Sequence, residues 1–153
     1  MHLLLDTHAF LWWVFADPKL SRQARAAIAD DEQNDIFVSA ASAWEITTKF
    51  RLGKLADAGS VANDVATVVA SEGFGELPIS VRHAQRAGDL EGRHKDPFDR
   101  MLVAQALIEN LTLVSNERAY DACAVKRLSQ GRPMSGSSPL SNSKGRSDRA
   151  CGR

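Results

Sequence analysis

Four acidic residues occupy positions where a side chain can do chemistry. Asp6 ends the short apolar run Leu3-Leu4-Leu5, and three further acids follow a predicted strand or open a predicted helix: Glu45, Asp99 and Glu117. A buried strand that ends in a carboxylate and continues into a helix places that acid beyond the strand's carboxyl end. Because parallel strands share that edge of a sheet, we expect these side chains to converge.

Converging carboxylates need a counter-charge. Two ionised carboxylates about 4 Å apart repel by roughly 4 kcal/mol at an effective dielectric near 20. Oxygen ligands without cysteine or paired histidine suit Mg²⁺ or Mn²⁺, which clamp phosphate oxygens and activate water. The acids together therefore predict a divalent metal site that acts on a phosphate ester.

Each acid also has a purely structural interpretation. Asp6 can cap the helix that follows it, and Asp96 fits an N-cap followed by proline. Glu45 fits a capping box and precedes Lys49 by four residues, the favourable order for a helical ion pair. Asp99 falls in the first turn of its helix, where the dipole favours a carboxylate. These alternatives stay open for each acid taken singly.

Short apolar strands alternate with helical patterns along the chain. Strands are predicted at 2–5, 36–38, 77–79, 111–114 and, as a short fifth strand, 124–125. Helices are predicted over 8–15, 22–30, from about 40 to 52, 61–72, 81–89 and 97–109, with a short one after 115. Strands separated by helices imply right-handed crossovers and a parallel sheet covered on both faces, which is an α/β fold.

The composition indicates one cytoplasmic domain and a basic tail. The 153 residues are 44% apolar and 25% charged, without an apolar run of membrane-spanning length or a secretory signal. The net charge is +0, but residues 129–153 carry five basic side chains and one acidic one. The body is therefore mildly acidic, which is not the electrostatic pattern of a nucleic-acid binder. We predict a domain over 1–128 and a disordered Ser/Gly-rich tail over 129–153.

Four segments resemble, in order and spacing, one known family. They are Leu5-Asp6-Thr7-His8, Trp44-Glu45-Ile46, residues 96–106 and Leu113-Val114-Ser115-Asn116. The family is the PIN domain, and the segments are similar in particular to VapC-like ribonuclease toxins of type II toxin–antitoxin modules. The resemblance covers about residues 1–128, and Asp96-Pro97-Phe98-Asp99-Arg100 is its most specific part. It implies a three-layer α/β/α sandwich with a four- to five-stranded parallel sheet and an acidic pocket that holds Mg²⁺ or Mn²⁺.

The resemblance also implies roles for the acids. The first three family acids fall on Asp6, Glu45 and Asp99. The fourth, usually aspartate, is Glu117 here, and its longer arm alters that corner of the site. Asp6 and Asp99 are the expected ligands of the principal metal. The supporting hydroxyl residues are Thr7 and Ser115.

A VapC-like protein is expected to cut RNA and to be inhibited by a cognate antitoxin protein. The resemblance therefore implies RNA hydrolysis to 3′-hydroxyl and 5′-phosphate ends, with transfer RNA among the candidate substrates. The basic side chains expected to hold the RNA backbone are Lys49, Lys95 and Arg100. A homodimer is also implied, and aromatic residues near the first helix are candidates for an interface: Trp12, Trp13 and Phe15.

Two other functions stay open. Glu117 and the acidic body favour a catalytically weak PIN domain that acts as an RNA- or protein-binding regulator. A metal-dependent phosphatase is favoured by Asp6-Thr7-His8, which resembles the start of a phosphatase loop, although His8 replaces the second aspartate of that loop. The tail extends past the family's usual end, and we predict no role for it.

Overall fold

Five parallel strands form one sheet at the centre of the molecule. The structure is a computed structural model that describes residues 1–92, 95–116 and 126–129. The strands are β1 (His2–Leu5), β2 (Asp35–Ser39), β3 (Gly75–Leu77), β4 (Thr112–Ser115) and β5 (Arg127–Ser129). Their order across the sheet is β3-β2-β1-β4-β5, so β1 lies in the middle, between β2 and β4. All four pairings are parallel, and the carboxyl ends of the strands therefore meet at one edge.

Helices cover both faces of the sheet. They are α1 (Thr7–Val14), α2 (Arg22–Ala29), α3 (Ala40–Arg51), α4 (Gly59–Ala62), α5 (Val65–Ser71), α6 (Val81–Asp89) and α7 (Pro97–Ile108), with a 3₁₀ turn at Ala56–Ala58. Side chains alternate along β1, so Leu3 and Leu5 join one core cluster, with α1 to α5, and Leu4 joins another, with α6 and α7. The predicted α/β/α sandwich is confirmed. No helix among the described residues is long and apolar enough to cross a membrane.

Local capping signals position the helices as the sequence predicts. The Ser80 hydroxyl accepts a hydrogen bond from the backbone N–H of His83, and the His83 ring nitrogen Nδ1 accepts one from the backbone N–H of Ser80. Asp96 caps α7 ahead of proline, as expected. Asn110 ends the same helix with φ of 52°, and Gly53 follows α3 with φ of 75°.

Two predicted elements differ from the observed ones. The predicted helix over 61–72 is two short helices, because the Asp64 carboxylate accepts a hydrogen bond from the Thr67 N–H and starts α5 afresh. The third strand was predicted at 77–79 but lies at Gly75–Leu77. Pro78 has no N–H to donate to a ladder, which places it after the strand. The predicted helix after 115 and the predicted strand at 124–125 lie outside the described residues, apart from Asn116, which follows β4.

The fifth strand of the sheet is Arg127–Ser129, which pairs with β4 so that Ser129 lies opposite Ser115. The predicted tail over 129–153 therefore begins with a residue that belongs to the sheet, and residues 130–153 lie outside the described part of the chain. The domain boundary near 128 stays a prediction.

Candidate active site

An acidic cleft of about 170 Å³ lies at the carboxyl end of β1. Its walls come from the segment after β1, from α3 and from the start of α7. The lining residues are Asp6, Thr7, His8, Glu45, Lys49, Asp96 and Asp99. The fold thus brings three of the four predicted acids to one place. The fourth, Glu117, lies outside the described residues, and its position stays a prediction.

Asp6 is both a helix cap and part of the cleft. Its carboxylate accepts a 2.7 Å hydrogen bond from the Ala9 N–H, which starts α1, and another from the Ser115 hydroxyl. Its side chain is enclosed, and the residue is 7% exposed. Burial raises the pKa of Asp6 above its ordinary value, and the charge of Asp99 acts in the same direction, against the hydrogen bonds. Ionisation of Asp6 therefore lowers the stability of the fold unless a cation lies near the carboxylate.

Glu45 is held at both of its oxygens. The Thr7 hydroxyl donates a 2.5 Å hydrogen bond to Oε1, and the Lys49 ammonium pairs with Oε2. The hydroxyl oxygens of Thr7 and Ser42 lie 3.1 Å apart, and Ser42 is fully buried. The capping box expected at Glu45 is wrong, because Ser39 rather than Ser42 caps α3. The expected ion pair with Lys49 is confirmed.

Lys49 lies among the acids of the cleft. Burial lowers the pKa of its ammonium, but the hydrogen bond and charge of Glu45 outweigh burial and raise the pKa above its ordinary value. The charges of Asp96 and Asp99 add to this effect. Lys49 is therefore fully protonated at neutral pH and supplies a positive charge inside a mainly negative cleft.

Asp96 was predicted as a cap, and it also lines the cleft. Its carboxylate accepts hydrogen bonds of 2.9 Å from the Phe98 N–H and 3.1 Å from the Asp99 N–H. The charge of Asp99 acts on Asp6, which shows that the first turn of α7 faces the end of β1. Asp96 therefore has two roles, because it caps α7 and also lines the acidic cleft.

The donor set suits a hard divalent cation. Among the described lining residues, only carboxylate, hydroxyl and imidazole groups accompany Lys49. In the described part of the chain, no three acidic, histidine or cysteine side chains are close enough to form a complete metal cage. Mg²⁺ is commonly held by one or two carboxylates together with water and substrate phosphate. The pair Asp6 and Asp99 fits that mode of binding.

Arg100 has structural contacts. Its guanidinium donates to the backbone carbonyls of Ala87 at 3.0 Å and Gly88 at 3.3 Å, and to that of Leu90. These bonds tie the end of α6 to α7. Lys95, by contrast, is exposed immediately before the cap of α7.

The chain matches one protein family over most of its length. The family model of the PIN domain covers residues 3–126. The chain belongs to the PIN domain family. Over 73 residues it is 41% identical to Ribonuclease VapC16 of Mycobacterium tuberculosis, a match that covers 46% of this chain and 50% of that protein. The chain therefore matches only about half the length of this curated relative.

Solved structures share the fold of this PIN domain. VapBC2 from Rickettsia felis, bound to a promoter DNA fragment, has a TM-score of 0.64 at 16% identity and covers 84% of this chain and 98% of its own. DNA-bound VapBC from Salmonella typhimurium has a TM-score of 0.61 at 15% identity, covering 86% and 99%. At these identities, the likeness establishes the fold.

The sequence interpretation missed a buried amide in this PIN domain. Gln105 of α7 is fully enclosed, with its Oε1 2.5 Å from the Ser39 hydroxyl and its Nε2 3.2 Å from the Pro78 carbonyl. Ser39 also caps α3 through the Ala41 N–H. Gln105 thus locks the helix that carries Asp99 to the start of the helix that carries Glu45. A glutamine inside an otherwise apolar helix was the available signal.

Two aromatic rings lie beside the acidic cleft of the PIN domain. Trp44 precedes Glu45, and Phe98 lies between Asp96 and Asp99. Their ring centroids are 4.8 Å apart in an edge-on arrangement, and Trp44 is 60% exposed. An exposed indole therefore lies one residue from Glu45 of the cleft, and the sequence interpretation did not single it out.

The aromatic residues of α1 are mainly core residues. Trp12 and Trp13 pack against the larger core cluster, and the Trp13 indole donates a 2.7 Å hydrogen bond to Glu72. Phe15 is 45% exposed. Of the aromatic residues predicted for an interface, Phe15 is therefore the most exposed.

A second cavity of the PIN domain is larger than the acidic cleft. A groove of about 470 Å³ lies near the amino ends of β2 and β3, lined in part by Trp13, Glu72 and Phe74. Two of its three acids have local partners, since Glu72 accepts from the Trp13 indole and Asp35 pairs with His2. We place the candidate site in the smaller cleft, because buried carboxylates there face one another.

Proposed function

We propose that this PIN domain is a metal-dependent endoribonuclease that hydrolyses RNA phosphodiester bonds as the toxin of a toxin–antitoxin pair. One observation carries the proposal: Asp6, Glu45 and Asp99, delivered by three separate segments, line one cleft. The half-length match to a named ribonuclease supports the same activity.

Asp6 and Asp99 would hold Mg²⁺ or Mn²⁺ in this cleft. When bound, such an ion supplies a Lewis acid for the scissile phosphate and lowers the pKa of coordinated water. The hydrogen bonds from Ala9 and Ser115 fix the Asp6 carboxylate in place for that task. The metal dependence is thus assigned to a pair of carboxylates that includes Asp6, whose negative charge burial makes costly.

Glu45 is suited to orient the attacking water. Its carboxylate is 3% exposed, and the Thr7 hydroxyl fixes its direction. A fixed carboxylate beside the metal accepts a hydrogen bond from water and aligns it with the phosphorus. Glu117, by the family resemblance, completes the site. Cleavage leaves 3′-hydroxyl and 5′-phosphate ends.

The surroundings of the cleft favour RNA over a small phosphate ester. Lys95 is exposed next to the cleft, where its charge can contact the phosphate backbone. The exposed Trp44 offers a surface on which an unpaired base can stack. We assign Arg100 to the fold rather than to RNA, because its guanidinium donates to three backbone carbonyls.

A cognate antitoxin protein is the proposed partner, and a homodimer is the proposed assembly in the cytoplasm. Structural relatives of the chain include VapBC assemblies and a toxin–antitoxin complex from Klebsiella pneumoniae. These assemblies support the partner proposed for this chain. Phe15 is a candidate contact for such an interface.

Cleavage of total RNA and of a transfer-RNA panel tests the proposal. We expect the wild type to cut with Mn²⁺ or Mg²⁺ and to stop cutting in EDTA, and we expect Asp99→Asn to abolish cutting. Asp57→Asn, which changes an exposed acid outside the cleft, is the matched control and should cut as the wild type does. Unchanged cutting by Asp99→Asn would contradict the proposal.

Two further assays, run beside the RNA panel, separate the rival functions. Turnover of p-nitrophenyl phosphate without RNA cleavage would indicate a phosphatase. RNA or protein binding without Mn²⁺ uptake in a calorimetric titration would indicate a regulator with a weak or inactive site.

A further inference from the structure

We propose that Lys49 is a built-in counter-ion of the acidic cleft, and that it competes with the divalent cation for the cleft carboxylates. The inference rests on the proposed metal-dependent function and adds a residue that sets the affinity for the metal. The inference concerns the chain's own side chains. It is tested by measuring metal binding rather than activity.

The contacts of Lys49 place its charge inside the cleft. Its ammonium pairs with Oε2 of Glu45, while the other oxygen of Glu45 accepts from Thr7. The Lys49 side chain is 30% exposed and that of Glu45 is 4% exposed. This pair is therefore shielded from solvent on most sides, unlike an ordinary ion pair on a helix surface.

The charge balance of the cleft gives Lys49 more than one partner. Four carboxylates line the cleft, those of Asp6, Glu45, Asp96 and Asp99, and Lys49 is the only lysine or arginine among the described lining residues. The ammonium interacts with Asp96 and Asp99 as well as with Glu45. Without Lys49, several nearby negative charges would face one another without compensation.

A divalent cation in the same cleft would interact with the same charges. The cleft volume is about 170 Å³, so Lys49 and a metal held by Asp6 and Asp99 lie well within the screening length of physiological salt, roughly 8 Å. The two cations repel each other, and each stabilises the carboxylates that the other needs. Removing the charge of Lys49 should therefore tighten metal binding while it weakens the metal-free fold.

A purely structural ion pair makes a different prediction. If Lys49 only stabilised α3 through Glu45, its replacement would lower stability and leave metal affinity unchanged or weaker. The counter-ion role requires stability and metal affinity to change in opposite directions. The two roles are thus distinguished by measuring both quantities on the same variants.

Calorimetric titration of the full chain with MnCl₂ provides the affinity. We expect Lys49→Gln, which keeps a hydrogen-bond donor but loses the charge, to bind Mn²⁺ about tenfold more tightly than the wild type. Lys49→Arg keeps the charge and should stay within about twofold of the wild type. Lys19→Gln removes an exposed charge outside the cleft lining and should also stay within about twofold.

Thermal unfolding in EDTA provides the second readout. Lys49→Gln should unfold at a lower temperature than the wild type, because Glu45 stays buried without its counter-charge. The double variant Glu45→Gln/Lys49→Gln removes both charges and should recover most of the loss. If Lys49→Gln does not fold, Lys49→Met keeps the apolar stem and is titrated instead.

The outcomes separate the inference from the proposed function. Equal or weaker Mn²⁺ binding by the folded Lys49→Gln or Lys49→Met variant, beside clear binding by the wild type, overturns the counter-ion role and leaves the nuclease intact. Absence of Mn²⁺ binding by the wild type overturns both. A tighter Kd together with a lower unfolding temperature in EDTA supports the inference.

Discussion

The Thr7 hydroxyl donates a 2.5 Å hydrogen bond to Oε1 of Glu45, joining the segment after β1 to the middle of α3. Both residues are buried, so Oε1 has little access to replacement water. Thr7→Val keeps the shape of the side chain and removes the donor. We expect it to lower the free energy of unfolding by about 1–3 kcal/mol, because a buried carboxylate oxygen loses its partner. Urea unfolding measures the change.

Thr7→Ser is the control for that prediction, because it keeps the hydroxyl and loses only a methyl group. It should retain most of the stability and most of the RNA cleavage. Thr7→Val should lose cleavage, because the Glu45 carboxylate loses the hydrogen bond that fixes its orientation. Equal stability of the Val and Ser variants would show that the hydrogen bond contributes nothing.

Asp6→Asn should separate stability from activity. Burial raises the pKa of Asp6, so the folded chain holds that proton more tightly than the unfolded chain does. Ionisation of Asp6 therefore costs stability once the pH rises above about 4, the ordinary aspartate value. Asparagine keeps the cap of α1 and carries no charge. We expect Asp6→Asn to raise Tm in EDTA at pH 7 and to abolish RNA cleavage.

The pH dependence checks the cause of that effect. The gain in Tm should shrink as the pH falls toward 4, because the buried wild-type carboxyl takes up its proton above that ordinary value. A gain that is independent of pH, or a loss at pH 7, would show that the buried charge is not its source.

Trp44→Ala should weaken the binding of single-stranded RNA. The exposed indole lies beside two acids of the cleft, and stacking of one base on an aromatic ring contributes about 1–3 kcal/mol. Fluorescence anisotropy of a labelled oligonucleotide in EDTA, where no cutting occurs, measures the affinity. Trp44→Phe should retain most of it. Val81→Ala, at an exposed position on α6, should change nothing, and an equal effect of both alanine variants would rule out stacking.

Gly75 and Gly88 form a matched pair for a test of packing. A methyl group on Gly75 would meet the Phe37 ring at 2.9 Å, where β3 pairs with β2, whereas a methyl group on Gly88 in α6 would meet nothing within 4 Å. Gly75→Ala should destabilise the domain by about 1–3 kcal/mol. Gly88→Ala should stabilise it by about 0.5–1 kcal/mol, because alanine favours a helix. Thermal unfolding compares them, and equal shifts would contradict the close approach at Gly75.

The convergence of the acids was predictable because its signals are local. Asp6 directly follows an apolar run, and Asp96 precedes a proline that begins a helix. Each signal reports a strand end or a helix start within a few residues. The parallel sheet then brings those ends together, as β1 and β4 show by their pairing of Leu5 with Val114.

Contacts between distant segments were not predictable in the same way. The true cap of α3 is Ser39, which is joined by its hydroxyl to Gln105, and neither residue reveals the other in the sequence. Arg100 is expected from the family resemblance to contact RNA, and its bonds to backbone carbonyls could not be predicted, because those partners lie in or next to another helix. Asp64 caps α5 and so divides the single helix predicted over 61–72. The apolar patterns on the two sides of Asp64 are similar, so the sequence did not reveal this division.

Because β1 lies between β2 and β4, the cleft at its carboxyl end is complete only after both neighbouring strands have paired with it. Translation delivers Asp6 first, yet β1 pairs on one side with β4, and Asp99 precedes β4 by only a short stretch of chain. The nascent chain therefore carries Asp6 and Glu45 well before it carries Asp99, the other proposed metal ligand. The nuclease proposed above would therefore gain its metal-binding pair of carboxylates only late in its own synthesis.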